Sequence, residues 1–264
     1  MLCAEVPVDR LSLLLPLALM ACVSTNPARF EGDDPFECED GADNDRDGDF
    51  DLIVASLAHP RFFDFSDKTQ VFVQNDDGTF TDTQGDWSYP WGDSGVRYSE
   101  GHFSPALGDY DQNGTLDLII SSAYQGRTTD FYWGQGDGTF LLDSYHAGIW
   151  TNYGLGLASG DMDNDGDLDL YVGGFENPYY QVDFVLRNNG NETFSHIWTQ
   201  PGDSTLGAGD PRPGRGVTHL DYNGDGFQDI YVSYYRLEPN GLWENDGSGH
   251  FVDVALDRGF AALP

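Results

Sequence analysis

The sequence predicts an all-β protein, a β-propeller-like array of about four four-stranded blades with an acidic loop in each. The chain has 33 glycines and 13 prolines, a composition typical of short strands and turns. A nine-residue acidic pattern occurs four times at similar spacing. A turn-rich segment follows each acidic pattern, so the chain is organised as a repeated unit of several strands.

The acidic pattern is D-x-[DN]-x-[DN]-G-x-x-D, and each copy is followed by an aliphatic, β-branched run. The copies begin at Asp43, Asp109, Asp161 and Asp221, which are 66, 52 and 60 residues apart. They hold 5, 3, 5 and 3 of the 45 acidic residues. Spacings of this size predict a supersecondary unit of several strands rather than a single hairpin.

Two further elements complete each unit. A segment rich in Asn, Asp and Gly lies between apolar runs and has the composition of a β-hairpin turn. These segments end at Phe80, Phe140, Phe194 and Phe251. A strand of small residues precedes three of the acidic loops, at residues 104–108, 156–160 and 216–220. The predicted units cover about residues 43–84, 100–145, 153–198 and 213–255.

The first unit lacks a small-residue strand, because residues 30–42 read as acidic loop. The segment from Gly259 to Leu263 has the composition to supply that strand and close a four-bladed ring. We expect this closure. The alternative is that the segment opens a fifth repeat.

The N-terminus reads as an export signal. Residues 11–21 form an apolar run of signal-peptide length, too short to span a bilayer. The run ends at Leu-Met-Ala-Cys, which resembles a bacterial lipobox, so we expect lipidation of Cys22. An ordinary secretory signal cut nearby is the alternative. We therefore expect a signal peptide at residues 1–21, an acidic linker at 22–42 and a domain at 43–264, located in the cell envelope as an outer-membrane lipoprotein or outside the cell.

Charge and cysteine content restrict the possible partners. The formal net charge of -33 excludes binding of nucleic acid by phosphate neutralisation. Membrane contact is expected only through the lipid anchor. Once Cys3 leaves with the signal and Cys22 is lipidated, Cys38 has no partner for a disulfide. Another stabilising device is therefore expected in this exported fold.

The acidic loops have the form of calcium sites. Ca²⁺ takes six to eight hard oxygen ligands, and a loop with side-chain oxygens at positions 1, 3, 5 and 9 and a carbonyl at position 7 wraps them around one ion. Glycine at position 6 permits the sharp turn. An EF-hand is excluded, because position 12 holds Val54, Ile120, Val172 and Val232 instead of glutamate. We expect up to four bound Ca²⁺ ions, bound more weakly where an asparagine replaces one acid.

Small-residue strand, acidic loop and hairpin in this order resemble the FG-GAP and VCBS repeats of integrin-type β-propellers. The most specific segments are GDYDQNGTLDLII, SGDMDNDGDLDLYV and LDYNGDGFQDIYV. The resemblance implies a Ca²⁺ ion in the loop that joins the first two strands of each blade, with position 7 binding through its backbone carbonyl. The implied ligands are Asp43, Asp45, Asp47, Asp49 and Asp51; Asp109, Asp111, Asn113, Thr115 and Asp117; Asp161, Asp163, Asp165, Asp167 and Asp169; and Asp221, Asn223, Asp225, Phe227 and Asp229.

We expect a binding module for adhesion, scaffolding or ligand recognition, in which calcium is structural. No GxSxG, HExxH or Walker A motif occurs, and the protein is not expected to be an enzyme. The alternative is a polysaccharide lyase or hydrolase built on the same propeller. The expected partner is a protein or a glycan. Candidate contact residues are the loop aromatics Trp87, Tyr89, Trp91, Trp150, Tyr153, Tyr179 and Tyr180.

Overall fold

The protein is represented by a computed structural model. It describes residues 51–55, 69–83, 93–97, 102–122, 129–149, 154, 156–174, 182–201, 212–235 and 238–261. Fifteen strands and one short helix lie in these ranges. They are β1 (Leu52–Val54), β2 (Gln70–Gln74), β3 (Phe80–Asp82), β4 (His102–Gly108), β5 (Asp117–Ser122), β6 (Asp130–Gly134), β7 (Phe140–Leu142), β8 (Leu157–Gly160), β9 (Asp169–Val172), β10 (Phe184–Asn188), β11 (Phe194–Thr199), β12 (Gly214–Leu220), β13 (Asp229–Tyr234), β14 (Gly241–Asn245), β15 (Phe251–Asp253) and α1 (Ala255–Arg258).

The strands form four antiparallel sheets in sequence order, which confirms the predicted all-β, propeller-like array. Sheets β4 to β7, β8 to β11 and β12 to β15 each have four strands, and the first sheet has β1, β2 and β3 among the described residues. The predicted small-residue strands are confirmed as β4, β8 and β12. The predicted hairpins are also confirmed, since each joins the last two strands of its sheet.

Small residues on the first strand of a sheet allow neighbouring sheets to approach closely. Ala106 lies opposite Ile119 in one sheet, and Ala158 lies opposite Tyr171 in the next. All four side chains are buried, and β8 contacts both β4 and β12. A larger residue at either alanine would separate packed sheets, which explains why these strands are composed of small residues.

The hydrophobic core lies between consecutive sheets. One cluster joins the first and second sheets around Val71 and Leu118. A second joins the second and third sheets, where Phe131 packs edge-to-face on Phe194 at a centroid distance of 5.4 Å. A third joins the third and fourth sheets. This packing of consecutive sheets places the acidic loops of adjacent sheets side by side.

The expected closing strand at residues 259–263 is wrong for the part that the structure describes. Ala255–Arg258 form a single helical turn, and Gly259 ends it in the left-handed conformation with φ 78°. The backbone N–H groups of Phe260 and Ala261 then donate to the carbonyl of Ala255. Phe260 packs on Tyr231 of its own sheet, so the chain folds back on the fourth sheet. Residues 262–264 lie outside the described ranges.

Among the described residues, no helix has the length and apolar character needed to cross a membrane.

Candidate metal centres

The acidic loops join the first strand of a sheet to the second. Residues 109–117 connect β4 to β5, residues 161–169 connect β8 to β9, and residues 221–229 connect β12 to β13. The sequence therefore placed these three loops correctly. Asp51 precedes β1, while Asp43, Asp45, Asp47 and Asp49 of the first loop lie outside the described part of the chain.

The aspartate at position 9 of each loop makes the same pair of backbone contacts. In the second sheet, Asp117 accepts hydrogen bonds from the N–H groups of Tyr110 at 2.9 Å and Gly134 at 2.9 Å. In the third sheet, Asp169 accepts from Met162 at 2.9 Å and from Asn188 at 2.8 Å. Position 9 therefore ties its loop to the third strand of the same sheet.

The fourth sheet repeats this arrangement, and the first sheet shows the part of it that is described. Asp229 accepts from the N–H groups of Tyr222 at 3.1 Å and Asn245 at 2.9 Å. Asp51 accepts from the N–H of Gln74 at 3.0 Å. The ninth-position aspartate therefore makes the same pair of contacts in three units, and its described contact in the first unit is of the same kind.

Position 1 organises the turn itself. Asp109 accepts from the N–H groups of Asn113 and Gly114, both at 2.9 Å. Asp161 accepts from Asp165 and Gly166, both at 3.1 Å. The chain thus wraps around the first carboxylate, so that the oxygens of later positions face it.

Two loops bring three carboxylates together. One oxygen from each of Asp109, Asp111 and Asp117 lies within 4.8 Å of the other two, and Asp161, Asp163 and Asp169 form a second such group. Positions 1, 3 and 9 therefore converge as the sequence predicts. Hard carboxylate oxygens at this density match the donor preference of Ca²⁺.

The buried carboxylates of these groups are electrostatically unfavourable without a cation. Burial raises the pKa of Asp117 to about 7 and that of Asp169 to about 7, although backbone N–H groups oppose the shift. Burial also raises the pKa of Asp109 and that of Asp163, with neighbouring aspartates adding to the effect. A bound divalent cation would reverse this penalty, because it favours the ionised form of each ligand.

One carboxylate oxygen in the third loop has no partner. Oδ1 of Asp163 is buried and accepts no hydrogen bond. The positive charge of Arg187 lowers the pKa of Asp163 without outweighing its burial. A buried acceptor without a donor costs free energy, and a cation seated between positions 1, 3 and 9 would satisfy it. The residues of this loop therefore fit a hard divalent ion.

The fourth loop has a different donor set. Asn223 stands at position 3 and donates its side-chain amide to Asp225 at 2.9 Å, while Asp221 accepts the N–H of Gly226 at 2.9 Å. Burial raises the pKa of Asp229. The loop keeps the wrapped conformation and has one fewer acid at positions 1, 3, 5 and 9 than the third loop has.

The remaining predicted residues either stand at position 7 of a loop or lie outside the described ranges. Thr115, Asp167 and Phe227 stand at position 7, where the backbone carbonyl is the predicted ligand. The N–H of each donates to the position-5 side chain, at 2.7 to 3.0 Å. Cys22 and all seven loop aromatics named above lie outside the described ranges.

Four amide side chains at the loops were not identified from the sequence. Gln112 and Asn164 stand at position 4, which the repeat pattern leaves open. Asn188 and Asn245 belong to segments interpreted only as hairpin turns. All four donate to the backbone of a neighbouring loop. Gln112 and Asn164 recur at position 4, and Asn188 and Asn245 recur at the end of the third strand in the third and fourth sheets. This recurrence was the signal in the sequence that could have identified them.

Comparison with known proteins supports the repeat assignment for the first part of the chain. The model of the FG-GAP-like repeat matches residues 43–120 and 109–172, two overlapping stretches. No curated protein matches the chain. One solved structure that matches is a lectin from Agrocybe aegerita that specifically recognises non-reducing terminal N-acetylglucosamine. It shares 20% sequence identity, with a TM-score of 0.42 over 80% of this chain.

The chain spans about half of that lectin chain, 52% of its length. The family match covers the first two described loops together with the loop that begins at Asp43. The similarity to FG-GAP-like repeats therefore extends over residues 43–172 of this protein.

Proposed function

We propose that this protein is a calcium-stabilised β-propeller-type binding module. The observation that carries the proposal is the convergence of positions 1, 3 and 9 in two successive loops, each with a fully buried aspartate at position 9. Calcium acts structurally in this proposal. Binding to the native state alone adds free energy of unfolding, which a chain without a disulfide framework needs.

Equilibrium dialysis against Ca²⁺ tests the metal sites. The wild-type protein should bind up to four ions, with affinities near the roughly 0.1 to 1 mM of extracellular modules. Asp111→Ala and Asp163→Ala should each remove one ion, because position 3 supplies a ligand and accepts fewer backbone N–H groups than positions 1 and 9 do. Asp137→Ala makes the same change of charge in an exposed hairpin and should bind as the wild type does. Equal binding by all four proteins would contradict the assignment.

We further propose export and lipid anchoring through Cys22, followed by recognition of a glycan or protein outside the cell. The apolar run ending at Cys22 supports the anchor. Labelling of cells with a radioactive fatty acid, comparing the wild type with Cys22→Ser, tests it. Incorporation that persists in Cys22→Ser would contradict the anchor.

The described surface has a cavity that is a candidate place for a small ligand. This cavity of about 250 Å³ beside the outer strand β7 is lined by Arg97, Asp143, Ser144 and Tyr145. Tyr145 is 75% exposed and contributes an aromatic side chain to this lining. A glycan array combined with a turnover assay on each bound glycan separates the two function classes. Binding without turnover supports a recognition module, and turnover supports the carbohydrate-active enzyme instead.

A further inference from the structure

Adjacent acidic loops are joined by the side-chain amide at position 4. Gln112 of the second loop donates from Nε2 to the carbonyl of Gly166 at 3.0 Å and to the carboxylate of Asp167 at 2.6 Å. Asn164 of the third loop donates from Nδ2 to the carbonyl of Gly226 at 2.9 Å. The same loop position therefore makes the same contact twice, each time to position 6 of the next loop.

The peptide unit that accepts the amide hydrogen bond is held at both of its polar groups. The carbonyl of Gly166 and the N–H of Asp167 belong to one peptide plane, and that N–H donates to Asp165 at 3.0 Å. In the next loop, the N–H of Phe227 donates to Asp225 at 2.9 Å. This plane precedes the position-7 carbonyl, the predicted metal ligand. Because a peptide unit is rigid, fixing its two polar groups restricts the direction of that ligand.

The donating residue is in turn positioned by its own loop. Gln112 has φ 58° and Asn164 has φ 60°, values in the left-handed region that non-glycine residues rarely adopt. The wrap around the position-1 carboxylate imposes this conformation on position 4. Any ion that tightens the wrap therefore also fixes the amide that reaches the next loop.

A second contact runs in the opposite direction, from the end of the third strand of one sheet to the acidic loop of the preceding sheet. Asn188 is 1% exposed and donates its side-chain amide to the carbonyl of Tyr110, at position 2 of the preceding loop, at 2.7 Å. Asn245 repeats the contact with the carbonyl of Met162 at 2.6 Å. The backbone N–H of each asparagine is bonded to the position-9 aspartate of its own loop. Neighbouring sheets thus exchange hydrogen bonds in both directions at their acidic loops.

We propose that the amide links couple calcium binding energetically between adjacent loops, so that an ion in one loop raises the affinity of its neighbour. This coupling rests on the proposed function, in which the loops bind Ca²⁺. Gln112 and Asn164 are positioning residues: they touch no ion, and they orient the peptide unit before the ligand carbonyl of the next loop. By linkage, the effect is equal in both directions.

The fourth loop shows which residue can replace the position-4 amide. It has Gly224 at position 4, with φ 77°, so glycine is compatible with this backbone conformation and sends no side chain onward. Gln112→Gly and Asn164→Gly therefore delete the amide without forcing a strained conformation. Asn191→Gly deletes an exposed hairpin amide and is the matched control.

Hydrogen exchange measured by mass spectrometry during a Ca²⁺ titration follows each loop separately. Silencing the third loop with Asp163→Ala should raise the half-saturating Ca²⁺ concentration of residues 109–117 about fivefold, at the lower end of typical coupling. In the Gln112→Gly background, the same Asp163→Ala change should leave that concentration nearly unaltered. Comparing the two backgrounds separates the link from the loss of negative charge at Asp163, which acts in both.

Two outcomes overturn the coupling, and they are distinguishable. If residues 109–117 gain protection at the same Ca²⁺ concentration whether or not the third loop is silenced, calcium binds but the loops are independent. If Asp163→Ala shifts that concentration equally in both backgrounds, the effect is charge alone. Absence of any Ca²⁺-dependent protection in the wild type contradicts the proposed function itself. Asn191→Gly should behave as the wild type throughout.

Discussion

The side-chain amide of Asn188 donates to the backbone carbonyl of Tyr110 at 2.7 Å, across the boundary between the second and third sheets. The backbone N–H of Asn188 donates to Asp169 at 2.8 Å, so one residue connects the ninth position of its own loop to the second position of the preceding loop. Asn245 occupies the same place in the next sheet. The acidic loops at residues 109–117, 161–169 and 221–229 are therefore parts of one connected hydrogen-bond network.

Replacing Asn188 with alanine should lower stability. The change leaves the buried carbonyl of Tyr110 without its donor, which costs roughly 1 to 3 kcal/mol. In a domain of this size, the melting midpoint should fall by several degrees. Asn189→Ala is the control, because the neighbouring amide bonds only within an exposed hairpin. Thermal unfolding followed by circular dichroism checks the difference, and equal midpoints for the two variants would contradict the network.

The buried carboxylate of Asp183 should make stability depend on pH. Asp183 accepts the hydroxyl groups of Tyr171 and Tyr234 between the third and fourth sheets. Burial raises the pKa of Asp183 above its ordinary value of 3.8, with these hydrogen bonds opposing the shift. The folded state therefore binds this proton more tightly than the unfolded state does. The stability that protonation contributes is lost as pH rises from about 4 through the raised pKa.

Asp183→Asn removes this titration and keeps the shape of the side chain. The free energy of unfolding of the wild type, taken relative to Asp183→Asn, should decrease as pH rises above about 4. Urea unfolding of both proteins between pH 4 and 8 measures the difference. A difference that increases with pH would mean that the folded state stabilises the ionised carboxylate.

Arg212 should not tolerate replacement by lysine. Its guanidinium lies 4.3 Å from the ring centroid of Tyr234, pairs with Asp253 at 3.0 Å and donates to the carbonyl of Pro239. Lysine lacks the planar group that makes these contacts together, so a loss of about 1 to 2 kcal/mol is expected. Arg258→Lys is the control, because Arg258 is half-exposed and lies 3.6 Å from Glu244. Matching urea midpoints for Arg212→Lys and Arg258→Lys would contradict this role.

The sequence was sufficient to predict the repeated fold, because its signals are local. Alternating apolar runs, Asn-Gly-type turns and the small residues around Ala106 and Ala158 each specify a strand or turn in its own segment. The three acidic loops that the structure describes were located for the same reason. Convergence of positions 1, 3 and 9 follows from the spacing within nine residues.

Contacts between repeats were not predictable in the same way. Gln112 and Asn164 stand at a position that the repeat leaves open, and their acceptors lie 54 and 62 residues away. The prediction of a closing strand near Gly259 was wrong, because glycine is compatible with a strand but also commonly ends a helix. There the αL conformation of Gly259 and the packing of Phe260 on Tyr231 decide the path.

Thermal unfolding in Ca²⁺ and in EGTA tests the central claim, that a cation stabilises the fold through the acidic loops. Saturating Ca²⁺ should raise the wild-type melting midpoint, and the same concentration of Mg²⁺ should raise it much less, because Mg²⁺ demands a stricter octahedral ligand set. At about 100 times the dissociation constant, one site adds about 2.7 kcal/mol to the free energy of unfolding. Asp163→Asn should show a smaller Ca²⁺-dependent increase than Asp137→Asn. A wild-type midpoint that is the same in EGTA and in Ca²⁺ would contradict the claim.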